Sequence, residues 1–356
     1  MTVTYESGRR IQATAADFGT AGAGTPAISG GWKELGRTTL GSAIDTITVS
    51  SLADKRYYMV LVNPIMNGST PQTSFRMGNG SADTGASYSW REERDGGTDV
   101  TGVNANWQTL VGYTAGNAMD FAVLNIANLS GKEKLTTSHS VYGVTGAGNV
   151  PHRTHNVAKW ANTSNPIDVL QAYNSYLSEF AIGSEMVVLG WDPADTHTTN
   201  FWEELASVNA SGSSSNLSTG TFTAKKYLWI QYYVETTSTV YSINRFNNDT
   251  TATYAWRNSS DGGGDSTTAS DTAFYPAVSA ANGHFCNMFI VNNSANEKLV
   301  ISHTASQNTA GAATAPQRRE GTTKWANTSS QITEMDIDAS TGNWGANSIV
   351  KVWGSN

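Results

Sequence analysis

The sequence predicts an all-β fold made of two tandem, homologous, jelly-roll-like β-sandwich domains that follow an N-terminal extended arm. Short runs rich in β-branched and aromatic residues, such as residues 56–62 and 226–234, alternate with clusters of Gly, Asn, Asp and Ser. This is the pattern of strands separated by turns. Helical periodicity with caps is nearly absent, and Asp168-Val-Leu-Gln-Ala-Tyr-Asn174 is the best short helix candidate.

An internal duplication is the second observation behind this prediction. Three motifs recur in the same order: Lys159-Trp-Ala-Asn-Thr-Ser164 as Lys324-Trp-Ala-Asn-Thr-Ser329, Glu133-Lys-Leu-Thr-Thr-Ser-His139 as Glu297-Lys-Leu-Val-Ile-Ser-His303, and Trp90-Arg91 with Asp95-Gly-Gly97 as Trp256-Arg257 with Asp261-Gly-Gly263. The repetition predicts one β-sandwich over residues 31–195 and a second over residues 200–356. The short polar segment between them predicts domains that sit against each other, and residues 1–30 form the arm.

Composition excludes several classes of partner. Net charge is −7 and pI is about 5.4, so clustered positive charge for nucleic acid is lacking and we expect no nucleic-acid partner. No apolar stretch has the length of a membrane span, and we expect no membrane insertion. A single cysteine excludes an intrachain disulfide. No apolar signal segment opens the sequence, so synthesis in a cytoplasm is expected.

The two Asp-Gly loops are the best candidates for a metal site. Asp95 and Asp99 in one copy, and Asp261 and Asp265 in the other, could present carboxylate oxygens to Ca²⁺. Asp-Gly is also the strongest hairpin-turn dipeptide. We therefore expect turns and no cofactor, with Ca²⁺ as the alternative.

Tryptophan is the candidate for recognition of sugars. Trp90 with Arg91, and Trp256 with Arg257, would suit a glycan patch beside each Asp-Gly loop, although large aromatic side chains in β-sandwiches usually fill cores. The recurrence of Lys-Trp-Ala-Asn-Thr-Ser instead favours a structural role for its tryptophan.

Motifs for catalysis are lacking. The sequence has no nucleophile elbow, phosphate-binding loop or zinc-protease helix, and we expect no enzymatic activity. A glycosidase stays an alternative, because its two carboxylates need no local motif.

Several motifs are similar to those of a family of uncharacterised virion structural proteins of marine tailed phages and related microbial viruses. They are Ser7-Gly-Arg-Arg-Ile-Gln12, Trp32-Lys-Glu-Leu-Gly-Arg37, Ser51-Leu-Ala-Asp-Lys-Arg-Tyr57, Lys159-Trp-Ala-Asn-Thr-Ser164, Leu189-Gly-Trp-Asp-Pro193 and Arg245-Phe-Asn-Asn-Asp-Thr250. The resemblance spans nearly the whole chain. Members are described as tail-fibre or capsid-decoration proteins. The family has no known catalytic or ligand-binding residues that could be transferred to positions of this chain.

The resemblance implies a non-enzymatic virion structural protein on the capsid or tail surface, made in the host cytoplasm. It would act in particle stabilisation, decoration or host contact, with other virion proteins as partners. We expect a homo-oligomer, with a trimer as one option. The arm, with Arg9, Arg10 and Ile11, would dock on a neighbouring subunit or stay a flexible leader. The alternative function is a carbohydrate-binding adhesin that uses surface Trp residues to contact host glycans.

Overall fold

The computed structural model describes residues 28–356 except 30, 69–71, 114–117, 177, 194, 198, 237–238, 279–280, 308 and 310. The predicted arm, with Arg9, Arg10 and Ile11, lies outside the described residues. All regular elements in the described part are β-strands, which confirms the predicted all-β class. No helix long and apolar enough to cross a membrane occurs among these residues.

The strands up to the junction of the two copies are, in chain order, β1 (Ile28–Ser29), β2 (Lys33–Thr39), β3 (Thr46–Val49), β4 (Tyr57–Asn63), β5 (Met66–Asn67), β6 (Gln72–Asn79), β7 (Ser81–Ala82), β8 (Tyr88–Arg94), β9 (Val100–Ala105), β10 (Gln108–Tyr113), β11 (Phe121–Ala127), β12 (Lys134–Tyr142), β13 (His152–Trp160), β14 (Val169–Asn174), β15 (Glu179–Phe180), β16 (Glu185–Trp191) and β17 (Thr196–His197). Those of the second copy are β18 (Glu203–Asn209), β19 (Asn216–Ser218), β20 (Tyr227–Val234), β21 (Ser242–Phe246), β22 (Tyr254–Ser260), β23 (Ser266–Asp271), β24 (Gly283–Val291), β25 (Lys298–Gln307), β26 (Gln317–Trp325), β27 (Met335–Ala339) and β28 (Ile349–Ser355).

Each copy forms a sandwich of one large and one small antiparallel sheet. In the first, the eight-stranded sheet has the order β2-β16-β4-β11-β12-β13-β8-β9, and the five-stranded sheet has the order β10-β6-β14-β3 with β7 beside β6. In the second, the corresponding orders are β18-β28-β20-β24-β25-β26-β22-β23 and β19-β27-β21. The tandem sandwich prediction is therefore confirmed. The small sheet has five strands in the first copy and three in the second.

Side-chain alternation explains the position of the cores. Along β4, Val60 and Val62 face the small sheet and join the core of the first sandwich, whereas Met59 and Leu61 point the other way. All four side chains are buried. A strand with both faces covered reads as a continuous apolar run, which is what the sequence of β4 shows.

The outward faces of the two large sheets pack against each other. Leu61 and Val291 belong to one apolar cluster that spans the two copies, and Phe121 stacks on Tyr227 with ring centroids 6.2 Å apart. The layers therefore run small sheet, large sheet, large sheet, small sheet. Each buried side chain of this size contributes about 1.5–3 kcal/mol, so the junction is part of the folded structure.

The helix expected over residues 168–174 is wrong. This segment forms β14, which pairs with both β3 and β6 in the small sheet of the first sandwich. Leu170 and Ala172 alternate into the core, while Gln171 and Tyr173 face the other side. Pairing on both edges outweighs the weak helix propensity of a run of seven residues.

The recurring Lys-Trp-Ala-Asn-Thr-Ser motif is structural in both copies. Trp160 and Trp325 are 1% exposed. Their indole N–H groups donate to Asp83 and Asp249, each at 2.7 Å. The motif is thus repeated because each sandwich needs the same buried indole and the same acceptor.

Candidate functional site

A cleft of about 680 Å³ opens at one edge of the first sandwich, between β8 and β9 of the large sheet and β6, β10 and β14 of the small sheet. It is lined by aromatic, polar and charged side chains, namely Gln72, Arg76, Trp90, Glu92, Arg94, Thr98, Val100, Asn106, Trp107, Thr109, Tyr173, Ser175 and Tyr176. A pocket with an aromatic surface and a few directed polar groups is typical of a small-ligand site.

Two tryptophans form one aromatic wall of this cleft. The rings of Trp90 and Trp107 are nearly parallel, at 17°, with centroids 5.9 Å apart. Gly102 on β9 makes room for Trp90, because a Cβ at that position would overlap the indole. The Trp90 Nε1 atom is buried and has no hydrogen-bond partner among the described residues. A buried N–H group without an acceptor is costly unless a ligand or water supplies one.

The small-sheet side of the cleft carries a cation held on an aromatic ring. The Arg76 guanidinium carbon lies 3.7 Å from the centroid of Tyr173. Arg76 Nε also donates to the Asn106 carbonyl at 3.0 Å, and Nη1 donates to Gln171 at 3.5 Å. This stacking and bonding fix the orientation of the guanidinium before any ligand arrives.

A buried ion pair lies within the cleft. Glu92 is 3% exposed, and its carboxylate is 2.6 Å from Arg94 Nη2. Burial raises the pKa of Glu92 above its ordinary value, against the lowering effect of the Arg94 charge and of the Thr109 hydroxyl. Glu92 is the only carboxylate among the described residues that line the cleft.

Polar side chains without partners surround this ion pair. Asn156 lies opposite Glu92 in the β8–β13 register, and neither atom of its amide has a hydrogen-bond partner among the described residues. The same holds for both amide atoms of Gln108 and for the Ser138 hydroxyl. Such groups usually bind water or ligand, so this part of the sandwich interior is polar.

The described residues of the second sandwich form no open counterpart of the aromatic wall. Trp256 donates its indole N–H to Asp271 at 3.0 Å, whereas the register of the first copy places Ala105 where Asp271 stands. Ala273 takes the place of Trp107 and is fully buried. The indole of the second copy is therefore satisfied within the protein.

The arginine next to this region comes from a different strand in each copy. Arg319 donates to Ser260 Oγ at 3.1 Å and to the carbonyls of Tyr275 and Ala277 at 2.9 and 3.0 Å. In the first sandwich Thr154 stands in the place of Arg319 and Arg94 in the place of Ser260, so the two copies carry the arginine on neighbouring strands. The open cleft of the first copy and the closed region of the second therefore differ at Trp107 and Ala273, and not in the presence of an arginine.

The structure separates the residues predicted for a glycan patch. Trp90 lines the cleft, but Arg91, the next residue on β8, faces the other side of the sheet and pairs with Asp99 at 3.0 Å. Arg257 lies at the junction of the two sandwiches, where its Nε donates to the Pro151 carbonyl at 2.9 Å. Trp256 faces the closed counterpart of the cleft.

The carboxylates predicted for a Ca²⁺ site are each engaged by donors of the protein. Asp95 accepts from His152 Nδ1 at 2.5 Å and from the backbone N–H of Arg153 at 3.0 Å. Asp261 accepts from a backbone N–H at 2.8 Å, and Asp265 pairs with Arg153 at 2.8 Å. In the described part of the chain, no group of three or more His, Cys, Asp or Glu could hold a metal.

Both Asp-Gly pairs form tight turns. The φ angles are 53° and 74° at Asp95 and Gly96, and 54° and 75° at Asp261 and Gly262. Positive φ at both central residues is the geometry of a type I′ turn. The turn explains why both copies keep the Asp-Gly pair.

Sequence reasoning missed most of the cleft. Trp107, Arg76 and Tyr173 come from strands and loops far apart in the chain, and none belongs to a repeated motif. A comparison of the two copies could have pointed to these residues. Trp107 and Tyr173 stand at positions where the second copy has a different residue, and Arg76 is an arginine in both copies but has a different neighbour in each.

Comparisons with known proteins assign no family. No protein-family model matches the chain, and no curated protein matches it. Among solved structures, the mouse laminin alpha1 chain, domains LG4-5, is similar at 8% identity over 91% of this chain and 90% of that chain, with a TM-score of 0.20. An overlap this weak supports no statement about fold or ligand.

Proposed function

We propose that this protein is a non-enzymatic binding protein that holds a saccharide in the cleft of its first sandwich. The observation that carries the proposal is the Trp90–Trp107 wall, which lies open in the first copy and has no open equivalent among the described residues of the second. Sugar rings present C–H faces that pack on indoles, and their hydroxyls pair with directed polar groups. The Arg76 guanidinium, which lines the cleft, supplies one such group.

The charges of the cleft favour binding over hydrolysis. Glycoside hydrolysis uses two carboxyl groups, roughly 5–10 Å apart across the scissile bond. Of the described residues that line the cleft, Glu92 alone carries a carboxylate, and it is paired with Arg94. This supports a site that recognises a sugar and leaves it intact.

The test is a glycan array followed by calorimetric titration with the best ligand. Trp107→Ala and Trp90→Ala should each weaken binding by about tenfold or more, which corresponds to roughly 1.4 kcal/mol. The matched control is Trp256→Ala, which changes the closed copy and should leave affinity within about twofold. Equal losses in all three variants, or no binding across a broad array, would overturn the proposal.

A second function is supported by the ordered resemblance to virion proteins. We propose that the chain is a surface component of a virus particle, where the cleft would contact host glycans and the rigid pair of sandwiches would present it. The burial of the apolar junction between the copies supports a stiff spacer of this kind. Other virion proteins would be its partners.

This second proposal is tested on purified particles with a labelled antibody against the second sandwich, viewed by electron microscopy. Regular labelling of the head would support a decoration role, and labelling of the tail would support host recognition. Particles without label, from an infection in which the protein is made, would contradict the virion proposal and leave saccharide binding to be judged by its own test.

A further inference from the structure

We infer that the saccharide held by the cleft is acidic, with its carboxylate or sulfate against the Arg76 guanidinium. This inference rests on the proposed saccharide-binding function and adds the chemical class of the ligand. Three observations support it: the position of Arg76, its lack of a counter-ion, and the contrast with the second sandwich.

The Arg76 guanidinium lines the cleft in a fixed orientation. It stacks on Tyr173 at 3.7 Å and is held by the Asn106 carbonyl. With Nε and Nη1 each donating one hydrogen bond within the protein, the N–H groups of Nη2 and the second N–H of Nη1 remain to donate to a carboxylate or sulfate. Because Arg76 is already ordered, little side-chain entropy is lost when an anion binds.

No carboxylate of the described residues forms an ion pair with Arg76; its charge acts on Asp83 only at longer range, and Asp83 accepts from the Trp160 indole. Among the ion pairs formed by the described residues, none includes it. Arg94, the other cation in the cleft, is paired with Glu92 at 2.6 Å. Among the described residues of the lining, Arg76 is therefore the cation that lacks an ion-pair partner, in a chain whose overall charge is −7.

The second sandwich shows what a neutralised version of this site looks like. Arg245 occupies the position of Arg76, and its Nη1 pairs with Asp338 at 2.7 Å. The strand registers place Tyr173 at the position of Asp338. In the first sandwich the aromatic ring thus replaces the carboxylate, and the guanidinium keeps its place but loses its counter-ion.

The experiment is a calorimetric titration of the full chain with three probes at low ionic strength. The probes are galacturonic acid trisaccharide, a sulfated galactose trisaccharide and the neutral galactose trisaccharide. We expect at least one acidic probe to bind about tenfold or more tightly than the neutral one, since charge-assisted hydrogen bonds are strong in such sites. Whichever acidic probe binds better identifies the anionic group.

Two variants assign the preference to Arg76. Arg76→Gln should bring the affinities for acidic and neutral probes within about twofold of each other. Tyr173→Asp, which recreates the arrangement of the second sandwich, should do the same while keeping the guanidinium. Arg245→Gln is the matched control and should leave the preference unchanged. A melting curve checks that each variant is folded. If Arg76→Gln is unstable, the result for Tyr173→Asp decides whether the preference for acidic probes depends on Arg76.

The outcomes separate the inference from the function on which it rests. Equal binding of acidic and neutral probes to the unchanged protein would overturn the acidic ligand and leave saccharide binding intact. A preference that persists in both Arg76→Gln and Tyr173→Asp would overturn the role of Arg76. Binding of none of the probes, together with an empty glycan array, would overturn both proposals.

Discussion

The Arg153 guanidinium of the first sandwich forms an ion pair with the Asp265 carboxylate of the second at 2.8 Å, with side chains only 2% and 3% exposed. Glu93 lies 2.8 Å from the same guanidinium, and Glu320 lies 3.8 Å from it. The Ca²⁺ alternative placed Asp265 in a metal-binding loop. In the structure it instead joins the two copies at the charged end of their junction.

Loss of one partner of this pair should destabilise the protein strongly. Arg153→Met leaves the buried Asp265 with only Arg257, at 3.4 Å, as a counter-ion. Removal of one member of a buried pair costs about 3–5 kcal/mol. Urea unfolding measures the change in the free energy of unfolding. The control is Arg91→Met, because Arg91 pairs with Asp99 at the surface and such pairs contribute about 0–1 kcal/mol. Similar effects of the two variants would show that the buried pair is not critical.

The junction should weaken as the pH falls. The hydrogen bond from His155 lowers the pKa of Glu320 to about 2. Desolvation, with the nearby charges of His155 and His303, lowers the pKa of His139, while Glu320 acts in the opposite sense. Both folded-state pKa values lie below the ordinary ones. The contributions of both groups to the free energy of unfolding are therefore fully present above about pH 6.5. As the pH falls, the contribution of His139 is lost first, and that of Glu320 is lost below about pH 4.5.

The measurement for this prediction is urea unfolding at pH 7.5, 5.5 and 4.0. Between the first two values, the unchanged protein should lose more stability than His139→Gln, by on the order of 1 kcal/mol. Parallel losses in the two proteins would show that His139 does not contribute to the pH dependence.

Gly102 should control the shape of the saccharide cleft. In Gly102→Ala the new Cβ overlaps the Trp90 indole, so the ring must move away from its place beside Trp107. We expect saccharide affinity to fall by about tenfold, which is roughly 1.4 kcal/mol. Gly41→Ala is the control, since a Cβ there meets nothing within 4 Å. Unchanged affinity in Gly102→Ala would mean that the tryptophan wall does not set the fit.

The repeated buried indole should matter for stability in each copy. Trp325→Phe keeps an aromatic ring in the core but removes the N–H group that donates to Asp249 at 2.7 Å. We expect a loss of about 1–3 kcal/mol, since the hydrogen bond is charge-assisted. Thermal unfolding measures it, and Trp160→Phe should give a loss of the same size because Asp83 plays the same part. A loss confined to one copy would contradict the common role.

The sequence by itself determined the strands, the duplication and the turns. The apolar run of β4 predicts a strand, because β-branched and aromatic side chains suit a pleated and buried surface. The repeated Asp-Gly pairs predict turns, and Asp95 and Asp261 have the positive φ that such turns need. Strands and turns of this kind depend on residues close together in the sequence, so the local sequence pattern is enough to predict them. Residues 168–174 show the limit, since pairing with two neighbouring strands decided their conformation.

Only the tertiary structure decided which faces meet and where the cleft lies. Strand alternation sends Trp90 to the cleft and Arg91 to the opposite face, although the two are neighbours in sequence. Arg76 and Tyr173 are far apart in the chain and meet because β6 pairs with β14. Likewise, Asp265 pairs with Arg153 because the apolar faces of the two large sheets pack together. Such contacts depend on the pairing of distant strands, which the spacing of residues along one chain does not reveal.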